Sequence, residues 1–493
     1  MGMARSPLNL LVTVTLSALF GPFLCLRAEE AEVAVEEKIP STVSYYRDVR
    51  PIFQEHCQGC HQPAKAQGKY VVTSYGELIK EGKSQEVMVV PGDPKASLLF
   101  TELLSIDGEE PSMPKKRDPL TAEQVELIGR WIAEGAKDDS PETEVLFTRE
   151  SPPSYKKPPV LTALDYSSDG ELLAVSGFHE VLLYKVGDFE MTQRLVGMSP
   201  HIESLAFSPD STYLAATGGS PGRTGEVQVW NVERSRLKLS LPMTYDTVYG
   251  AAWSSDGRLL AFGCADNTLR AIEVRTGEQV LYQGAHNDWV LDTAFSMDAS
   301  HIVSVSRDRS LKLTEVGTQQ FIDNITSITP GALRGGLMAV DRHPKKDELL
   351  VGGADGAPKI YKMYRTKARK IGDDFNLVRK FDPLPGRVFS AEYSQDGERI
   401  VAGSSLNGRG EVHVYREEDG ELLSSFEVAS GGVYATTFSS DGKHVAAGGF
   451  DGIVRVIDVD TGNLVKQFAS VPLIGDEETD KGAGQETLRT RRL

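Results

Sequence analysis

Two cysteines separated by two residues and followed at once by a histidine, Cys57-Gln58-Gly59-Cys60-His61, form the group in this chain whose spacing is most specific to one chemistry. Thiols three positions apart can each add across one vinyl group of a single porphyrin, and the adjacent histidine is then held beneath the iron as its proximal ligand. The expectation is one covalent haem c, attached through Cys57 and Cys60 and ligated by His61. A structural zinc site would need two further ligands at matching spacing, and no second cysteine pair exists among the four cysteines. A thioredoxin-like redox pair belongs in a βαβ setting, whereas the residues leading into Cys57 read as a helix.

The sixth iron ligand must come from between the helices that flank the motif. Met113, in Ser112-Met113-Pro114, is the choice, because a proline-flanked loop can hold a thioether rigidly over the distal face. Met88 competes, but it stands in the apolar run Val87-Met88-Val89-Val90 and reads as a packing residue; a vacant or histidine-ligated site is the remaining alternative. His56 adjoins the attachment cysteines and is too constrained to swing over. Upstream, Asp48 is read as capping a short helix with Pro51 in its first turn, which puts Val49, Ile52 and Phe53 on one face. Downstream, Thr121 and Gln124 make a capping box and Leu120 can staple against Val125. Val125, Ile128, Trp131 and Ile132 then recur at helical spacing until Gly135 stops the helix.

Tyr45-Tyr46-Arg47-Asp48-Val49-Arg50-Pro51-Ile52-Phe53, the attachment motif, Val90-Pro91-Gly92-Asp93-Pro94, Met113-Pro114 and Trp131-Ile132-Ala133-Glu134-Gly135-Ala136 follow one another in a telling order. In that order residues 40–137 resemble the planctomycete-type cytochrome c domain family. The resemblance implies a monohaem cytochrome c with Cys57 and Cys60 as attachment points, His61 proximal and Met113 distal. Lys115 stands where that family often has a second proline.

Residues 156–470 repeat at a period in the forties, the range of WD-type propeller blades. An aromatic residue and a serine precede an aspartate turn in Tyr166-Ser167-Ser168-Asp169, Phe207-Ser208-Pro209-Asp210, Trp253-Ser254-Ser255-Asp256, Phe295-Ser296-Met297-Asp298, Tyr393-Ser394-Gln395-Asp396 and Phe438-Ser439-Ser440-Asp441. A degenerate copy, Asp341-Arg342-His343-Pro344, brings the number to seven. Alternating stretches such as Glu226-Val227-Gln228-Val229-Trp230 indicate half-buried strands, four to a repeat. The region resembles the WD-repeat family, although most copies lack a Trp-Asp pair. The fold expected is therefore multidomain: a small all-α cytochrome c domain followed by an all-β seven-bladed WD-repeat β-propeller.

Other polar residues of the repeats have structural explanations. His286 and Asp308 fit an internal hydrogen-bond network with Thr314 at the usual tryptophan position, and Asp266, Asp355 and Asp451 occupy equivalent turns. Cys264 reads as a buried free thiol. Arg223 and Arg409, in matching insertions of the second and sixth repeats, are candidates for a binding patch or simply solvated turn residues. No Gly-rich phosphate loop or Ser/His/Asp order stands out, so no catalytic residue is assigned.

The chain opens on Arg5 and an apolar run over residues 8–26, with Ala28 before Glu29, which reads as a signal peptide over residues 1–28 and hence as export to the periplasm. An uncleaved membrane anchor is the alternative. Cys25 lacks the small residue a lipobox needs before it. Residues 138–155 read as a linker whose stretch 144–148 could close the ring as a strand, and residues 471–493 as a disordered tail. A net charge of -17 argues against a nucleic-acid partner; it would attract a basic redox partner or a positively charged surface, or serve solubility alone. Electron transfer by the haem domain with the propeller as docking platform is the functional expectation. The alternatives are an oxidoreductase with a second cofactor on the propeller and an extracytoplasmic scaffold.

Overall fold

The computed structural model describes residues 42–58, 60–62, 65–72, 75–80, 87–105, 108–115, 118–140, 147–284, 286–326, 334–368, 370 and 374–474. The expected signal segment with Cys25 and the tail beyond residue 474 lie outside the described residues.

A first hydrophobic core is drawn wholly from residues 43–136. Its helical entry begins one turn earlier than the Asp48 cap predicts. Ser44 Oγ accepts from Arg47 N at 2.9 Å and the Asp48 carboxylate accepts from Ser44 N at 2.9 Å, so the two side chains satisfy two backbone donors at the start of a π-type segment at Tyr45–Val49. Helix α1 (Arg50–His56) continues it with Pro51 in its first turn, and Val49, Ile52 and Phe53 are buried. Two short helices follow, α2 (Tyr75–Leu78) and α3 (Leu98–Thr101), then the longer α4 (Ala122–Ala133). In α4 the Thr121/Gln124 capping box is present and Ile128, Trp131 and Ile132 are buried, as their spacing requires. Gly129 faces the Phe100 ring, where an added Cβ would lie 2.7 Å from a ring carbon, so the α3 to α4 contact needs a residue without a side chain. The expectation of an all-α unit holds only in part. His61–Gln62 and Lys65–Ala66 form a two-stranded antiparallel pair, because the chain must double back directly after the cysteines.

Six larger sheets of four to seven antiparallel strands follow, each built from strands consecutive in sequence. Five have four strands. In the seven-stranded sheet, the long strand Met191–Phe207 pairs by its first part with Phe178–Lys185 and by its second with Tyr213–Ser220. The Ser-x-Asp marker has a direct physical basis. In each of its six copies the serine hydroxyl donates to the aspartate at 2.6–2.7 Å, which fastens the turn between a repeat's first two strands. In the degenerate copy His343 Nδ1 takes that place and accepts from Lys345 N at 3.0 Å.

Antiparallel order puts the turns between first and second, and third and fourth, strands on one face of the assembly. Turns between second and third strands, and the links to the next repeat, emerge on the other. The first and last repeats share a core in which Leu161, Leu173 and Leu182 pack with Ala446, Val454 and Val471, and Leu161 N donates to Gly449 O at 2.8 Å. The closing strand expected at 144–148 falls mostly on residues outside those described. Residues 141–146 lie outside the described residues, Phe147 and Thr148 belong to no strand, and Tyr155 instead bridges Leu473 while accepting from Ile474 N at 2.8 Å.

The innermost strands line a central channel of about 400 Å³. Behind it, acidic side chains staple one repeat to the next. Asp165 accepts from Phe207 N (2.6 Å), Asp292 from Val340 N (2.9 Å), Asp341 from Tyr393 N (2.8 Å) and Glu392 from Phe438 N (3.4 Å). Burial pushes the Asp165 and Asp292 carboxyls up to about 7 and Asp341 to about 6, against the pull of the backbone donors. A carboxyl raised in the fold stabilises while it is protonated. Its contribution is full below about pH 4, the unfolded value, and is lost as pH rises through 6 to 7. Burial lowers His179, His286 and His343, which act in the opposite sense, so a variant compared with the parent at each pH isolates the carboxyl. Asp165→Asn keeps an acceptor for Phe207 N and removes the charge. Between pH 5 and 8 it is expected to gain about 2 kcal/mol on the parent in thermal melts, with channel water moderating the effect; parallel curves would refute the assignment.

Candidate functional site

Helix α1 delivers Cys57 directly, its N donating to Phe53 O at 3.0 Å, and a tight turn then carries the chain past Cys60. Cys60 N and His61 N both donate to Cys57 O, at 3.1 and 3.0 Å, so the two sulfur-bearing residues and the histidine sit on successive corners of one turn. Gly59 lies outside the described residues. Both cysteines are free thiols at intermediate exposure, and burial, with Cys60 adding to it, pushes the Cys57 thiol up to about 11. Cys57 is therefore a neutral thiol at ordinary pH, the form whose S–H adds across a vinyl group.

His61 is held from behind. Its Nδ1–H donates to the Tyr70 carbonyl at 3.3 Å, and its own carbonyl accepts from Val72 N at 2.9 Å. Tyr70 is buried, its ring stands edge-on to His61 at 5.9 Å, and its hydroxyl donates to Leu78 O at 2.7 Å. With Nδ1 satisfied, Nε2 carries the available lone pair and has no hydrogen bond among the described residues. That is the donor set a haem c needs on one side: two thiols and an imidazole fixed in the ligating tautomer.

Met113 stands in a loop pinned to the end of α3, where Met113 N donates to Glu102 O at 3.0 Å. Its side chain and that of Cys57 both pack against the first core. A cavity of about 420 Å³ opens beside Met113, lined by its own loop rather than by residues 57–61. Met88 is buried in the same core, 8% exposed. His56 is tied to Gln124, Nε2 to Nε2 at 3.1 Å, with Nδ1 left to carry its proton, so the capping residue of α4 also anchors the residue before Cys57. Sequence reasoning did not find Tyr70, whose contribution is a backbone carbonyl that any residue type offers. It also missed the stapling acids. Stacking the repeats would have found three of them, since Asp165, Asp341 and Glu392 precede the marker where other copies have alanine or threonine.

In the repeats, His286 bridges Asp308 at 3.1 Å and Ser304 at 2.8 Å as the network reading requires, while Thr314 Oγ1 has no hydrogen-bond partner among the described residues. Asp266, Asp355 and Asp451 each accept from the backbone two residues on and pair with a cation four residues on: Arg270, Lys359 and Arg455. Cys264 is fully buried, and burial pushes its thiol up to about 12. Arg223 and Arg409 are both exposed, in separate hairpin turns on the same face. Among the described residues no group of three His, Cys, Asp or Glu is arranged to hold a metal ion, and no helix is long and apolar enough to cross a membrane.

Comparison with known proteins agrees with this division. The family model for Planctomycete cytochrome C matches residues 57–117, the model for WD domain, G-beta repeat matches 191–231 and 420–458, and that for the anaphase-promoting complex subunit 4 WD40 domain matches 221–298. Similar curated proteins include the WD repeat-containing protein 91 homolog of Dictyostelium discoideum, 28% identical over 113 residues covering 23% of this chain and 15% of that protein. WD repeat-containing protein SL1-17 of Schistosoma mansoni is 31% identical over 155 residues, 31% of this chain and 50% of that protein. Eukaryotic translation initiation factor 3 subunit I of Coccidioides immitis is 28% identical over 205 residues, 38% and 57% respectively. The chain spans less than two thirds of the length of each.

Proposed function

Because this chain joins a cytochrome-like domain to a WD-repeat domain, we propose that it is an exported monohaem c-type cytochrome for electron transfer, with a seven-bladed propeller as its protein-docking platform. Its parts are a signal peptide over residues 1–28, the cytochrome domain over 40–137, a linker over 138–155, the propeller over 156–470 and a tail over 471–493. Seven blades are favoured by the channel, whose lining draws on seven consecutive repeats, and by the long strand Met191–Phe207, which serves as the last strand of one blade and the first of the next.

The observation that carries the haem reading is the satisfied Nδ1 of His61 beside two free thiols. Cys57 and Cys60 would hold the group covalently, with His61 as its proximal ligand and Met113 as its distal one. Haem supplies a one-electron couple at its iron, which methionine ligation raises in potential relative to two histidines. The protein's own share is to fix the His61 ring through Tyr70, to keep water from the buried side with Ile52, Phe53 and Val72, and to hold Met113 on a pinned loop.

The test is expression with a complete haem-maturation apparatus. One haem per chain that survives denaturation is expected, with a low-spin reduced spectrum unaffected by carbon monoxide. Met113→Ala is expected to convert it to a high-spin form that binds carbon monoxide. A parent already high-spin, or a Met113→Ala protein indistinguishable from it, would remove Met113 from the iron.

A further inference from the structure

Resting on the reading of Met113 as distal ligand, we infer that Ser112 and Gln124 are positioning residues for it. Ser112 fixes Met113 to the end of α3, and Gln124 ties the start of α4 to the turn that bears Cys57, Cys60 and His61.

A thioether carries no charge and accepts only weakly, so a ligand role for Met113 depends on how firmly the chain presents it. Any backbone left to be ordered at the moment of ligation would cost entropy. Two sets of contacts remove that cost. In the first, Met113 N donates to Glu102 O at 3.0 Å. The Ser112 hydroxyl, with its single proton, reaches both that carbonyl, at 3.2 Å, and the Glu102 carboxylate. Glu102 closes α3, its own N donating to Leu98 O at 3.1 Å. Helix α3 is itself held on both sides, since Leu99 N donates to Met88 O at 3.0 Å and the Phe100 ring faces Gly129 of α4.

The second set lies where α4 begins. Leu120 is buried in the first core, and Thr121 opens the helix. Gln124 uses the two ends of one amide there. Its Oε1 accepts from Thr121 N at 2.9 Å and completes the capping box, while its Nε2 donates to His56 Nε2 at 3.1 Å. The box accounts for the oxygen alone. The nitrogen reaches another helix, because His56 is the last residue of α1 and immediately precedes Cys57. A closed circuit results: Met113 to Glu102, α3 to α4 through Phe100 and Gly129, and α4 to the residue before Cys57 through Gln124. The attachment turn and Met113, far apart in the chain, are thereby set in one frame with α4 as its common member.

The experiment is displacement of the distal ligand by imidazole in the full haem-loaded ferric chain, followed by the charge-transfer band that methionine ligation gives. His56→Leu removes the acceptor from Gln124 and leaves the capping box in place, and Ser112→Ala removes the hydroxyl clasp. Each is expected to raise the displacement constant about fivefold, the factor one net hydrogen bond is worth. His56→Gln, whose amide oxygen can accept from Gln124 Nε2, is expected to return it to within about twofold of the parent. Hydrogen exchange of the backbone at residues 112 and 113 is expected to quicken in Ser112→Ala. Because Ser112 is exposed, that variant carries the test even if His56→Leu fails to fold. Displacement constants equal to the parent's in the folded variants, whether or not their melting points fall, overturn the positioning roles and leave Met113 as ligand. A parent without the methionine band removes Met113 from the iron, and the positioning roles with it.

Discussion

Replacing Cys57 and Cys60 together by serine is expected to leave a chain that emerges from haem maturation colourless after denaturation, lighter by one haem than the parent, and without a reversible one-electron couple. The reason is geometric as well as chemical. Both thiols sit on one turn whose corners are set by hydrogen bonds to the Cys57 carbonyl, so no other pair of side chains in the described structure offers two sulfurs to one porphyrin. Cys264 cannot substitute, being fully buried in the repeats. Single replacements are expected to retain one thioether each and to bind haem less tightly. Mass spectrometry of the intact chain and a haem stain after denaturing electrophoresis read all three outcomes. Covalent haem persisting in the double variant would remove the attachment chemistry from these cysteines. The propeller's own melting transition should be unchanged in every variant, since its cores draw on none of these residues.

Trp131→Ala is expected to destabilise the cytochrome domain by about 3–5 kcal/mol, the range for emptying a buried indole site, and so to remove most of the stability of a unit this small. Trp131 is 1% exposed. It lies 5.4 Å from the Tyr45 ring and 6.5 Å from Tyr75, and its Nε1 donates to Lys137 O at 3.0 Å. Tyr75 in turn donates to Ala136 O at 2.8 Å, so one aromatic cluster clamps the segment that leads to the cysteines onto the helix that backs them. Truncation both opens a cavity and orphans the Lys137 carbonyl. Melting followed at the haem absorbance should shift down sharply while the far-ultraviolet signal of the sheets melts as before, and Trp131→Phe should recover most of the loss. Equal shifts in both signals would mean that the two units unfold as one.

Local chemistry explains what could be read in advance. The spacing in 57–61, the Thr121/Gln124 box and the Ser-x-Asp markers each specify a structure through residues that are neighbours in the chain, and each is found in place. The Asp48 cap failed on the same ground, because Ser44 four residues earlier caps Arg47 N, starts the helical segment first and engages the Asp48 carboxylate with its own N–H. The Tyr155 bridge to Leu473 was not legible, because what pairs with the final strand region depends on where the chain returns after some three hundred residues, which no local pattern encodes.

The sequence by itself determined that the chain carries a Cys-x-x-Cys-His motif, repeats itself to make sheets, and is acidic overall, since these follow from side-chain identity and short-range spacing. Only the tertiary structure decided that the Tyr70 carbonyl sets the His61 ring, that buried acids staple one repeat to the next, and that the marker turns gather on one face. The physical reason is the antiparallel alternation of strands. It sends successive turns to opposite sides, and so brings marker turns that are far apart in the chain onto one face.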